Sequence, residues 1–170
     1  MNIVKAPETS EVFFHQQRGL NLDLRKAEKA AIDLQIVNVN IILKIDNRHT
    51  MPVVGGWYPD PTGFFHYGNC VYLSSPSRSH ITVNMLDSFV RGTRKRYSPY
   101  YLTSRDVCCP TTVEQAVLHT IIHEFMHHIY DDVNEKRTDA RTILYLRDNV
   151  KSHPFGKSKE LVSLAEGVGV

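Results

Sequence analysis

The chain has 170 residues, of which 42% are hydrophobic and 22% charged, a composition typical of a globular protein. It contains no run of about 18 apolar residues, so we expect no transmembrane helix. The first residues lack the apolar run of a signal peptide, which makes the cytoplasm the expected location. The formal net charge of +2 is too small to indicate nucleic-acid binding by itself.

The first half of the chain predicts one helix followed by a small sheet. An apolar stripe at helical spacing runs through residues 21–36. Alternating apolar residues then predict several short strands, which we place at 37–46, within 63–75 and at 80–85. The proline- and glycine-rich segment 51–63 is predicted to be mainly loop and turn, with room for a short strand at Val53-Val54. We interpret the strand at 80–85 as an edge of the sheet.

The second half of the chain predicts two successive helices. Thr112, followed three residues later by Gln115, forms a capping-box pattern at the start of a long apolar helix. Asn134 can cap a second helix that ends near residue 150. These elements predict an α+β domain that covers residues 1–150, followed by a tail, residues 151–170, with a short helix.

The long helix carries His123-Glu124-Phe125-Met126-His127, an HExxH motif. Residues four apart share one helix face, with Cβ atoms about 5–6 Å apart. Imidazole nitrogens of His123 and His127 can therefore meet one zinc ion at about 2.0–2.1 Å each. Glu124 points to the neighbouring face, where it can take a proton from a metal-bound water.

A catalytic zinc site needs a third protein ligand and an open position. Glu135 and Asp139 lie four residues apart on the following helix, so both face the same way. One of them can bind the metal while the other accepts a hydrogen bond from a ligating imidazole. Asp131 and Asp132 are weaker alternatives for the third ligand.

HExxH followed by the NExxxD pattern of residues 134–139 resembles the glutamate zincins, the thermolysin-type metallopeptidases. The resemblance implies a zincin-like α+β fold, in which a backing helix and a small mixed or antiparallel sheet with an edge strand precede the HExxH helix. A second helix then follows in a tight αα-hairpin. The resemblance also implies that Glu135 is the third zinc ligand and that Asp139 holds His123. Only seven residues separate His127 from Glu135, a shorter connection than in the thermolysin-type enzymes.

In such folds, the edge strand before the active helix binds an extended peptide by main-chain pairing. The resemblance therefore implies a substrate-binding edge strand formed by five consecutive residues: His80, Ile81, Thr82, Val83 and Asn84.

Together these features predict zinc-dependent hydrolysis of a peptide or protein substrate, with Glu124 as general base for a metal-activated water. The alternative is a non-catalytic zincin-fold binding or regulatory protein associated with nucleic acid. The basic and aromatic stretch at 91–105 would support it, since the SprT-like proteases are HExxH enzymes that act at DNA. The small net charge instead favours a solvated basic loop.

Other candidate residues count for less. The metzincin pattern HExxHxxGxxH is not met, because Tyr130 and Val133 stand at its glycine and third-histidine positions. Cys70 suggests a resemblance to peptide deformylase, an HExxH protein whose metal ligands are one cysteine and two histidines. The glycine-rich motif of that family is absent from this sequence. His119, one turn before the motif, is expected to support the site rather than bind the metal. Tyr130 and Tyr145 are more simply explained as half-buried core residues than as oxyanion-stabilising groups.

Overall fold

The structure is a computed structural model that describes residues 2–5, 12–59, 64–67, 70–73, 79–93, 96–99, 101–102 and 107–170. The chain divides into two compact units, Met1–Asp87 and Ser88–Val170. The predicted mixed α+β fold is confirmed. Within the described ranges, no helix is both long enough and apolar enough to cross a membrane.

The first unit contains one nine-residue helix among short strands. In chain order these elements are β1 (Asn2–Lys5), β2 (Val12–Gln16), α1 (Arg25–Asp33), β3 (Val39–Ile45), β4 (Val53–Tyr58), β5 (Phe64–Tyr67), β6 (Cys70–Leu73) and β7 (Ser79–Met85). The proline- and glycine-rich segment therefore holds a strand of six residues, where the sequence predicts mainly loop. The two glycines of this strand do not prevent pairing, because glycine keeps both its backbone N–H and its C=O, and Gly55 and Gly56 lie opposite Val83 and Thr82 of β7.

Four of these strands form a mixed sheet in the order β2-β3-β7-β4. The first three strands run parallel, and β4 runs antiparallel to β7. Val39, Ile41 and Leu43 of β3 are fully buried, as are Ile81 and Val83 of β7, so these two central strands form the sheet's apolar centre. The strands β1, β6 and β5 form a separate three-stranded sheet in that order.

The prediction that residues 80–85 form an edge strand is wrong. The strand β7 pairs with β3 on one side and with β4 on the other. Its backbone N–H and C=O groups are therefore engaged, and the five residues from His80 to Asn84 cannot add a peptide by main-chain pairing. Alternation of polar and apolar residues reports which face a side chain is on, but not how many neighbours the strand has. The outer strands of this sheet are β2 and β4.

The second unit is mainly helical. After the short helix α2 (Asp87–Val90), the elements are β8 (Arg96–Tyr97), β9 (Cys109–Pro110), α3 (Val113–Tyr130), α4 (Glu135–Asn149), α5 (Pro154–Lys157) and α6 (Lys159–Glu166). The helix α4 packs against α3, α5 and α6. Its buried residues include Ala140, Ile143 and Leu146, which follow helical spacing.

Side-chain caps fix the beginnings of both long helices. The predicted capping box is confirmed: Thr112 Oγ1 accepts from Gln115 N–H at 3.2 Å, and Gln115 Oε1 accepts from Thr112 N–H at 2.9 Å. The helix α3 ends at Asp131, whose left-handed φ of 48° turns the chain. Asn134 then caps α4 by accepting from Arg137 N–H at 2.8 Å. Three residues, 131–133, lie between the last residue of α3 and the cap residue Asn134. So short a connection favours a tight hairpin.

The C-terminal residues pack within the second unit, whereas the sequence predicts a tail from residue 151. His153 caps α5, with Nδ1 accepting from Phe155 N–H and Nε2 donating to the Gln115 carbonyl at 2.9 Å. A Cβ on Gly156 would lie 2.6 Å from Arg147 N, so this position needs a glycine for close helix packing.

Candidate metal centre

The αα-hairpin of the second unit brings the HExxH motif next to the first turn of α4. His123 Nε2 lies 3.2 Å from Glu135 Oε2, and His127 Nε2 lies 2.7 Å from Glu135 Oε1. One turn further along α4, Asp139 meets His123 from the other side of its ring. The helix α4 therefore runs back along α3, and the short connection does not prevent Glu135 from reaching both histidines.

Both histidines are oriented through their Nδ1 atoms. Asp139 Oδ1 lies 2.5 Å from His123 Nδ1, and the backbone carbonyl of Asp132 accepts from His127 Nδ1. A carboxylate and a carbonyl can only accept, so each Nδ1 must carry the proton. In the neutral imidazoles, the lone pair is then on Nε2, which is the atom that faces Glu135 in both cases.

The result is a convergence of electron-pair donors. Two Nε2 atoms meet the two oxygens of one carboxylate, and none of these four atoms carries a proton while the imidazoles are neutral. Such an arrangement demands positive charge at its centre, which either protons or a metal ion can provide. The ligand atoms of His123, Glu124 and His127, all three buried, lie within 4.8 Å of one another, and this group could hold a metal ion.

The pKa values of His123 and Glu135 are shifted in the directions that favour positive charge at the centre of the site. Burial by itself lowers the pKa of His123, but Asp139 and Glu135 outweigh it and raise the pKa to about 10. Burial raises the pKa of Glu135, but hydrogen bonds from the two histidines lower it to about 2. The site therefore stabilises the ionised carboxylate of Glu135. It also stabilises the protonated imidazole of His123 at neutral pH, where an isolated imidazole would be mostly neutral.

Glu124 differs from the other carboxylates of the site. Its side chain is buried on α3, and the loss of solvation is the main reason why its pKa rises to about 7. The proximity of His123 and His127 opposes that rise. A carboxylate with a pKa near neutrality can both accept and release a proton at physiological pH.

Asp132 has a part in the site that the sequence did not indicate. Its carboxylate accepts from Arg137 at 2.6 and 3.0 Å and from Arg141 at 2.9 Å. It also accepts from Asn134 N–H at 2.9 Å. These bonds hold the turn whose carbonyl orients His127. Because the carboxylate is engaged by the two arginines, Asp132 is not placed as a metal ligand.

The other candidate residues lie around this centre or outside it. Asp131 is the exposed C-cap of α3. Tyr130 is 54% exposed, and the Arg141 guanidinium lies over its ring, 3.9 Å from the ring centroid. Tyr145 is partly buried on α4. The ring of Tyr101, which the sequence placed only in the basic stretch, stacks on His123 with centroids 5.8 Å apart and an interplanar angle of 29°.

Part of the predicted basic stretch lies outside the described residues: Arg94, Lys95, Tyr100 and Arg105. Of the remaining cations in that stretch, Arg91 and Arg96 are exposed. Nucleic-acid binding by this segment stays a prediction. The Cys70 side chain also lies outside what the structure describes.

Comparisons with protein families, with curated proteins and with solved structures find no match to the chain.

Proposed function

We propose that the chain is a zinc-dependent metallopeptidase of the zincin type, with zinc held by His123, His127 and Glu135. The observation that supports this proposal most strongly is the meeting of two Nε2 atoms with one carboxylate, at 3.2 and 2.7 Å, next to the buried Glu124. The order of these residues along the chain also follows the HExxH and NExxxD patterns of the glutamate zincins.

The donor set fits zinc. Two imidazoles and one carboxylate match a common catalytic zinc set, which leaves one coordination position for water or substrate. Imidazole and carboxylate ligands also suit other divalent metals, and iron(II) takes the same set of two histidines and one carboxylate. The HExxH spacing on α3, with Glu124 beside the two histidines, is the feature that favours zinc. The hydrogen bonds from both Nδ1 atoms to fixed acceptors are the supporting contacts that metal-binding histidines usually have.

The geometry favours Glu135 over Asp139 as the third ligand. Glu135 faces both Nε2 atoms, whereas Asp139 faces the protonated Nδ1 of His123. The two carboxylates thus contact opposite edges of the same imidazole. The Glu135 side chain is 41% exposed, so the proposed metal position is accessible from solvent, while the Asp139 side chain is 1% exposed.

Zinc bound at this position would supply a Lewis acid that polarises a substrate carbonyl and lowers the pKa of a water molecule. Glu124 would accept the proton that this water loses as it attacks. Glu124 could then donate the same proton to the leaving amine. Asp139 and the Asp132 carbonyl would keep both imidazoles in the Nδ1–H tautomer throughout.

The test is hydrolysis of a mixed peptide library by the zinc-loaded protein and by its E124Q variant. The glutamine side chain keeps the shape of the glutamate but cannot accept the proton, so we expect zinc to stay bound and cleavage to fall by about 100-fold or more. Glu160, exposed on α6, provides the matched control E160Q, which should cleave like wild type. Equal cleavage by wild type and E124Q would contradict the proposal. Zinc binding without any cleavage would instead support the non-catalytic alternative.

A further inference from the structure

His119 occupies a fixed position behind the proposed metal centre. It lies on α3 one turn before His123 and is only 3% exposed. Its ring has two edge-to-face neighbours, Tyr97 with centroids 5.5 Å apart and Phe155 with centroids 4.8 Å apart. These aromatic neighbours restrict the imidazole to small rotations, so its nitrogens keep their approximate direction.

The His119 imidazole faces the carboxylate of Asp139. His119 Nε2 lies 3.3 Å from Asp139 Oδ1, the oxygen that also contacts His123 Nδ1 at 2.5 Å. Within the part of the chain that the structure describes, Asp139 Oδ2 and both nitrogens of His119 are buried without an aligned hydrogen-bond partner. A buried carboxylate with a single hydrogen bond is costly, and so is a buried N–H without an acceptor. The His119 imidazole and the Asp139 carboxylate lie 3.3 Å apart, so a hydrogen bond between them would reduce both costs.

We propose that His119 is a positioning residue that acts through Asp139 on His123. A proton on His119 Nε2 donates to the Asp139 carboxylate after a small rotation of the ring, and so holds that carboxylate in place. The fixed carboxylate in turn holds the Nδ1–H of His123 and thereby the direction of its Nε2 atom. The α3 face thus carries three histidines with two different tasks, since His123 and His127 face Glu135 while His119 faces Asp139. The consequence for metal binding depends on the proposed function, but the hydrogen-bond chain does not.

The first test uses the wild-type protein without metal. In a ¹⁵N-histidine NMR spectrum that correlates ring nitrogens with ring protons, we expect His119 to carry a proton on Nε2. A His119 with its single proton on Nδ1 would overturn the proposal, because its bare Nε2 could not donate to Asp139. This measurement needs neither zinc nor activity, so it separates a failure of this inference from a failure of the proposed function.

The second test compares variants that keep or lose the donor. H119Q retains an N–H near the Nε2 position, whereas H119F keeps an aromatic ring without a donor. In chelator competition with zinc, we expect H119F to bind about 10-fold more weakly than wild type, near the lower end of what removal of a ligand-orienting group costs. H119Q should recover most of that loss, and H119F should cause no further loss in a D139N background.

Three results would overturn the proposal: unchanged zinc affinity in H119F, equal losses in H119F and H119Q, or a loss from H119F that persists in D139N. The last two would indicate that His119 only fills space beside Tyr97 and Phe155. If H119F does not fold, the tautomer of His119 in the wild-type protein still decides the question.

Discussion

Replacing Glu135 with alanine removes the carboxylate that faces both Nε2 atoms at 3.2 and 2.7 Å. Zinc in four-ligand protein sites is bound with about 10–16 kcal/mol, so an equal share is about 2.5–4 kcal/mol per ligand. That share corresponds to a loss of about 70–900-fold in zinc affinity. Replacing Asp139 with asparagine removes only the acceptor for His123 Nδ1, a change that typically costs about 10–100-fold. We therefore expect Glu135→Ala to bind zinc more weakly than Asp139→Asn.

The assay is equilibrium competition with a chromophoric chelator, measured for both variants and for the exposed control Glu160→Ala. Circular dichroism spectra check that each variant keeps its helices. The control should bind zinc like wild type. If an Asp139→Ala variant loses the metal while Glu135→Ala retains it, the third ligand is Asp139, and the reasoning from the Nε2 contacts is refuted.

Three further predictions concern the scaffold of the site. Gly156→Ala should lower the free energy of unfolding by about 1–3 kcal/mol, because the new Cβ would approach Arg147 N to 2.6 Å; an unchanged melting temperature would contradict this. Thr112→Ala should cost about 1 kcal/mol in chemical denaturation and speed hydrogen exchange in the first turn of α3, and unaltered exchange there would argue against the cap. Hydrogen bonds from Arg137 hold the pKa of Asp132 below its ordinary 3.8, so this carboxylate stabilises the fold above that pH and loses its effect as the pH falls further. Asp132→Asn should therefore destabilise more at about pH 7 than at about pH 3, and equal losses in thermal denaturation at both would disprove the assignment.

Local sequence signals predicted the helical part of the fold well. The capping box at Thr112 and the cap at Asn134 each depend on residues within one helical turn, and the structure has both hydrogen bonds. The spacing of Glu135 and Asp139 indicated that both would face one way, and in the structure both contact His123. Such relations depend on helix geometry alone, so the sequence carries them without knowledge of the fold.

The sequence could not predict features that depend on distant partners. The strand β7 gains its second neighbour from β4, which is earlier in the chain, and nothing within residues 79–85 reports that pairing. The hydrogen bond from His127 goes to the Asp132 backbone carbonyl, and every residue type has such a carbonyl. The contacts of His119 with Tyr97 and Phe155 join three separate segments. The sequence did contain a signal for the turn between α3 and α4. Arginines follow Asp132 at positions 137 and 141, and both donate to its carboxylate.

The assignment of zinc to His123, His127 and Glu135 can be tested by the zinc content of the purified protein, determined by elemental analysis after removal and readdition of the metal. We expect about one zinc ion per chain in wild type and almost none in a His123→Ala, His127→Ala double variant, because two of the three proposed ligands are then missing. A His128→Ala control, which removes the partly exposed histidine that follows His127 on α3, should leave the zinc content unchanged. Full zinc occupancy in the double variant would contradict the assignment of this centre.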